Sequence, residues 1–285
     1  MTYSYVPSPL SIFKGVFKLP PASIITFELE KFSGRLFDSF EDLITDNSVN
    51  FSNYWSIKDI YKENIEARYK SFDLAISDLK YELTEAVRSQ LISDVPLGAF
   101  LSGGIDSSLI VGIMNSISSN VETFNIGFEF SEFDESPYAK EVAKHIGTRH
   151  TSVMCTKEDT MNYIMQCSSA YTEPFADSSQ IPTMLVSKIA SNSVKVVLTG
   201  DAGDELFGGY NRYTHSSKYW SYIKYLPPQF KKFISHLMKS APQFLVKEAL
   251  FKPLGINLSG NYNDRIKQLS DKLTSSSSQE EFFKQ

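Results

Sequence analysis

Cysteine and histidine are scarce: the chain has two of the first, Cys155 and Cys167, and four of the second. Two thiols build no disulfide scaffold, and their spacing fits no zinc or iron–sulfur ligand pattern. Both read as small buried hydrophobes. His145 and His150 fall in no motif and read as surface or core side chains. A run of about eighteen apolar residues, the length that spans a bilayer, is missing. The opening MTYSYVPSPLSIFKG lacks the charged stretch followed by an apolar one that marks a secretory signal, so a cytoplasmic protein with no membrane partner is expected. A basic excess is missing too. Lys plus Arg number 28 against 33 Asp plus Glu, a net charge of −5, which speaks against a general nucleic-acid binder but leaves room for a local cationic pocket. The lack of a Gly-Lys-Ser/Thr ending rules out a Walker A loop, and no internal repeat is visible.

What is present describes a globular chain of 285 residues, 42% hydrophobic and 21% charged, enough for one large domain or two ordinary ones. Residues 1–57 carry Pro7, Pro9, Pro20 and Pro21 with short β-prone pieces at 11–17 and 22–29. These predict a few strands, too few to close a sheet alone. Residues 31–57 are weakly patterned. From about residue 70 the period changes. Phe72, Ala75, Ile76, Leu79, Leu83, Ala86, Val87 and Leu91 predict one face of a long helix. Strands are then predicted at Val95–Leu101, 121–128, 149–154 and 194–200. They alternate with helices at Ser107–Ile117, Ser136–Ile146, 157–171 and 180–191. That alternation predicts an α/β fold with a doubly wound parallel sheet. Helices dominate after Phe207.

Two glycine turns, 102-SGGIDSS-108 and 199-TGDAGDELFGGY-210, each follow a predicted strand. In an open parallel sheet that edge is where ligands bind. The first turn opens a helix, whose free N–H groups favour an anion. Glycine permits close backbone approach, and the serines add donors. A carboxylate, Asp106, fits beside phosphate if Mg²⁺ lies between them. The turn alone is equally compatible with a plain connection in which Asp106 or Ser107 caps a helix.

The segment 95-VPLGAFLSGGIDSSLI-110 resembles the PP-loop of the N-type ATP pyrophosphatases, a fold of the adenine nucleotide alpha hydrolase kind. Within that superfamily, 199-TGDAGDELFGGYNRY-213 and 173-EPFADSSQIPT-183 are similar to motifs of the glutamine-hydrolysing asparagine synthetases. The resemblance covers residues 70–285 as an ATP-binding domain. Residues 3–23 look like the last part of the N-terminal-nucleophile glutaminase domain that precedes it, so 1–57 is expected to be its C-terminal remnant. The resemblance implies ATP and Mg²⁺ as cofactors, a carboxylate acceptor with aspartate favoured, and ammonia, free or derived from glutamine. The carboxylate would become an acyl-adenylate that ammonia converts to the amide. By the same token Ser102, Gly103, Gly104, Asp106, Ser107 and Ser108 would hold the pyrophosphate. Leu101 and Ile126 would contact adenine through backbone and apolar surface, and Gly200 and Asp201 would join the nucleotide site. Asp106 and Asp177 would carry Mg²⁺, Asp177 being alternatively a helix N-cap. Glu173 and Glu205 would orient the amine and handle its proton, Glu173 being alternatively a solvated loop carboxylate. Asp201 and Asp204 stand otherwise as outer groups or helix caps.

The sequence departs from that family at both ends. Thr2 follows Met1 where glutamine-dependent members begin on a cysteine, and the downstream lysine motif does not occur before Gln285. The chain is therefore expected to be the middle of a longer protein and not to hydrolyse glutamine. Lys188 and Arg212 are possible substitute cations. Three readings stay open: an amide-forming ligase acting on aspartate or on a sugar carboxylate of surface polysaccharide, an ATP·Mg²⁺-binding homologue without turnover, or another PP-loop enzyme. A homodimer or a partner glutaminase is possible with each.

Overall fold

The computed structural model describes residues 4–32, 34–65, 69–129, 134–210, 213, 220–221, 223–240, 262–275 and 278. They fall into two compact units, residues 1–200 and 201–285.

In the first unit the β-prone, nearly uncharged runs form a four-stranded parallel sheet. Its strands are β3 (Leu97–Phe100), β4 (Glu122–Phe128), β5 (Arg149–Cys155) and β6 (Val196–Leu198), and they lie in the order β5-β4-β3-β6. Ala99 aligns with Thr123 on one side and Leu198 on the other. β4 is buried at five consecutive positions, as a strand covered on both faces must be. Side-chain alternation splits the core in two. On one face Ala99, Leu101 and Val121 meet Val87 of α3 (Phe72–Gln90), Val111 and Met114 of α4 (Ile105–Ile117), and Ala139 and Ala143 of α5 (Ser136–Ile146). On the other, Phe124, Ile126 and Cys155 meet Leu185, Val186 and Ala190 of α7 (Gln180–Ala190), with Tyr163 of α6 (Lys157–Ala170) packed alongside. Each fully buried side chain of this kind contributes about 1.5–3 kcal/mol. The order reverses at β3: the chain runs outward through β4 and β5, then returns to add β6 on the far side of β3. The crevice between β3 and β6 at their carboxyl ends is thus the topological switch point.

Ahead of this sheet, β1 (Ser23–Phe27) and β2 (Val49–Asn53) pair antiparallel, flanked by α1 (Phe40–Ile44) and α2 (Ile57–Asn64). Phe40 stacks edge-on against both Phe17 and Phe51. Residues 11–17, expected to be β-prone, are bends and turns instead. Pro7 and Pro9 offer carbonyls without N–H groups. Leu10 N–H and Lys18 N–H bond to those carbonyls at 2.9 Å each, folding the segment back on itself.

The second unit contains α8 (Gly203–Phe207), α9 (Pro228–Ser240) and α10 (Tyr262–Ser275). The last two pack through a buried Ser235–Ser270 hydroxyl pair at 2.7 Å and a Lys239–Asp271 ion pair at 2.7 Å. Tyr210 and Tyr213 pack edge to face, and Lys231 lies over the Trp220 ring. Arg212, Tyr219 and Tyr222 lie outside the described residues. Among the described residues no helix is long and apolar enough to cross a membrane.

Candidate functional site

Because β3 and β6 are adjacent and parallel, the residues that follow them emerge side by side. Gly200 ends the first unit tight against the start of α4. A Cβ there would lie 2.7 Å from Ser107 N and 3.0 Å from Asp106 Cβ. Gly103 is equally constrained. Its φ of +84° suits glycine, and a Cβ would meet Ala139 N at 2.6 Å and the Tyr138 carbonyl carbon at 2.7 Å, in the first turn of α5. The turn therefore wedges between two helix starts and the second strand end.

The serines divide into two kinds. Ser107 is buried and its Oγ accepts from Ser102 N–H at 3.2 Å. It also lies 2.9 Å from Ser102 Oγ, which in turn accepts from Gly104 N–H at 3.1 Å. Ser102 and Ser107 thus lock the turn with their hydroxyls. Ser108 Oγ is buried with no partner. α4 begins at Gly104 with no side-chain cap, so the N–H groups of Ile105, Asp106 and Ser107 are the unpaired donors of its first turn. Asp106 is half-buried and makes no ion pair or side-chain hydrogen bond among the described residues. Leu101 and Ile126 send their side chains into opposite core clusters, leaving backbone as their exposed contribution.

The loop 171–179 precedes α7. That crossover helix runs back to the start of β6, so the loop enters it at the sheet end where the glycine turns lie. Lys188, in the last turn of α7, lies toward the opposite end of the sheet. Asp177 Oδ1 accepts from Ser179 N–H at 2.8 Å, and this bond, then the Ser179 hydroxyl, hold its carboxyl below the usual carboxylate range. Glu173 takes Ile12 N–H on Oε1 at 3.2 Å and pairs with Lys18 through Oε2. The Lys18 bond, first among its causes, lowers the Glu173 pKa. A carboxyl depressed in the fold adds stability above its ordinary pKa and loses it as pH falls through the lowered value. A cleft of about 350 Å³ opens on this loop, lined by Tyr171, Glu173, Phe175 and Gln180.

In the second unit, Asp201 is exposed. Ala202 holds a φ of +69°, unusual for a residue with a Cβ. Asp204 packs its carboxylate against Gly209, where a Cβ would force that side chain to shift. Glu205 accepts a 2.8 Å bond from the Tyr210 hydroxyl. His150 belongs to the core edge, its Nδ1 3.0 Å from Thr123 Oγ1, with burial and then Lys140 lowering its pKa. Cys155 and Cys167 are free thiols turned to Thr160 and to the Tyr163 carbonyl. Sequence reading missed Asp134, whose Oδ1 accepts from Phe128 N–H at 3.2 Å and Ser136 N–H at 3.0 Å, tying the end of β4 to α5. The Asp-x-Ser-Pro string before α5 is a capping signal that could have found it. Lys18 left no such signal.

A locked turn with uncapped N–H groups, an unpaired carboxylate and an orphaned hydroxyl lies at the switch point of an open parallel α/β sheet, an arrangement chemically suited to an anion. Comparison with known proteins gives the class a family. Residues 78–283 match the asparagine synthase family model. A Methanocaldococcus jannaschii protein with the provisional name asparagine synthetase (glutamine-hydrolyzing) 2 is 37% identical over 273 residues, 93% of this chain and 48% of its own. Asparagine synthetase (glutamine-hydrolyzing) 1 of Bacillus subtilis is 30% identical over 252 residues, 88% of this chain and 36% of its own. The chain belongs to the asparagine synthase family, a family of ATP-dependent amidotransferases and ligases. It spans about half the length of the first of these relatives and about a third of the second.

The residues present fit a triphosphate with a divalent cation. Ser108 Oγ is an orphan with no protein partner, and Gly103 and Gly200, where a Cβ would strike backbone, let the turn pack closely at the end of the sheet. No cluster of three or more ligating side chains occurs among the described residues. A cation beside Asp106 would draw further ligands from phosphate and water, as Mg²⁺ commonly does.

Proposed function

We propose that this chain binds ATP at the β3–β6 crevice and serves an amide-forming ligase that activates a carboxylate, with aspartate the favoured acceptor. The observation that carries the reading is the start of α4, where three unpaired N–H groups and the lone Asp106 carboxylate sit between two glycines that admit no side chain. A carboxylate oxygen would attack the α-phosphorus, and the bond to the bridging oxygen would break to release pyrophosphate. Ammonia would then attack the acyl carbon, expelling AMP and losing a proton. Charge grows on the departing pyrophosphate, so donors already aimed at it contribute most.

In this reading the main-chain N–H groups of residues 105–107 and the Ser108 hydroxyl hold the phosphate tail. Ser102, Gly103 and Ser107 keep the turn in shape, while Leu101 and Ile126 offer backbone to adenine, with Gly200 beside it. Asp106 and Asp177 would hold Mg²⁺, which neutralises phosphate charge when bound. Glu205 keeps the amine-orienting role. Glu173, already neutralised by Lys18, anchors its loop rather than handling a proton. Residues 1–57 fit the end of a glutaminase domain and 70–285 an ATP-binding domain. Ammonia could then come from glutamine, within the same protein or from a partner glutaminase, and a homodimer is compatible. Aspartate-dependent, Mg²⁺-dependent ATP–pyrophosphate exchange tests the reading. Exchange with aspartate and not with buffer supports it, and absence of both ATP binding and exchange contradicts it.

A further inference from the structure

Three polar contacts tie the first eighteen residues to the loop 171–179. The Lys18 ammonium pairs with Glu173, 155 residues away, and also donates to Val6 O at 2.6 Å. Ile12 N–H donates to the other Glu173 oxygen, and Ala176 N–H donates to Ser4 O at 2.7 Å. Lys18 is itself fixed at its backbone by the 2.9 Å bond to Pro9 O. This is a denser arrangement than an ordinary surface ion pair, because each partner of the pair has a second bond that fixes its direction. Glu173 is also the less exposed partner, at 19% against 37% for Lys18.

The loop needs such support. Thr172 and Pro174 through Ser179 are exposed, so apolar burial does little to hold them. From the helix side Gln180 Nε2 grips the carbonyls of Phe175 at 2.5 Å and Asp177 at 2.8 Å. From the other side the only cross-links among the described residues come from the N-terminal segment, through Glu173 and Ala176. The loop is staked at two points, and Asp177 hangs between them.

We propose that Lys18 is a positioning residue: it holds Glu173, and through it the Asp177 loop, in the arrangement the phosphate site uses. The N-terminal segment is thereby part of the support of that site. What the loop does rests on the nucleotide reading above; the clamp itself does not.

Hydrogen–deuterium exchange on the full chain, comparing wild type with Lys18→Met, Lys18→Arg, Glu173→Gln and the Lys18→Met/Glu173→Gln pair, tests it. Lys18→Met is expected to speed amide exchange across residues 171–179 by about threefold to tenfold, leaving β3 and β4 unchanged. Lys18→Arg, which keeps the charge and the reach, should recover most of the protection. The double variant should match Lys18→Met within about twofold, since both changes break one contact. With Mg²⁺ titrated at fixed ATP, Lys18→Met should need about threefold more Mg²⁺ for half-maximal binding, with ATP affinity at saturating Mg²⁺ unchanged. Loop exchange equal to wild type, a change spread evenly over β3 and β4, or Lys18→Arg no better than Lys18→Met would each overturn the proposal. If wild type binds no ATP, the nucleotide reading falls, while the exchange pattern still decides for or against the clamp.

Discussion

The two glycine turns use the same few residue types for different physical work. The first ends β3 and opens α4, a helix of 13 residues, and its serines bond to one another. Its shape is thus settled internally, and what it turns outward is main-chain N–H. The second ends β6 and opens α8, a helix of only five residues between Ala202 and Gly208, both in left-handed backbone. It turns outward carboxylates, with Asp204 seated on Gly209 and Glu205 steadied by Tyr210. One turn supplies donors and the other acceptors. Glycine serves each as the residue that lets something come close, a helix start at Gly103 and a side-chain oxygen at Gly209.

Breaking the first turn should do the most damage. Gly103→Ala places a Cβ into the start of α5 at a φ that disfavours it, and we expect a loss of about 2–4 kcal/mol in urea unfolding together with ATP binding. A stability change under about 0.5 kcal/mol would mean the wedge is loose. Gly200→Ala probes where the second strand end meets α4. Its φ is not left-handed, so only the clash with Ser107 N and the Asp106 backbone acts, and about 1–3 kcal/mol is expected in the same measurement. Tyr210→Phe sharpens the contrast at the mild end. It removes the hydroxyl from an exposed Glu205, so melting should show a change of at most about 0.5 kcal/mol. A larger loss would make the second turn a folding element like the first.

Much of the sheet was legible in the sequence because its signals are local. The helix predicted at Ser136–Ile146 has those bounds, with Pro137 inside its first turn and Gly147 at a φ of +87° ending it. The helix after the first glycine turn begins two residues earlier than predicted, at Ile105, because the turn's cap is backbone at Gly104 and not a side chain. β2 went unread: VNFSN has two apolar residues, and its partner β1 lies more than twenty positions upstream, outside any local pattern. Which serines lock and which present was not legible either. A hydroxyl chooses its acceptor from the backbone around it, and Ser102, Ser107 and Ser108 look alike until that backbone is known. The Lys18–Glu173 contact joins residues that no periodicity links.

The central claim is that the start of α4 grips a phosphate tail with a carboxylate-held cation. Equilibrium ATP binding with and without Mg²⁺, in wild type and in Asp106→Ala, tests it most directly. Mg²⁺ should tighten binding to wild type, and Asp106→Ala should lose this gain, weakening Mg²⁺-dependent binding by about tenfold or more while its melting temperature holds. Equal affinity for Mg²⁺·ATP in the two proteins would contradict it.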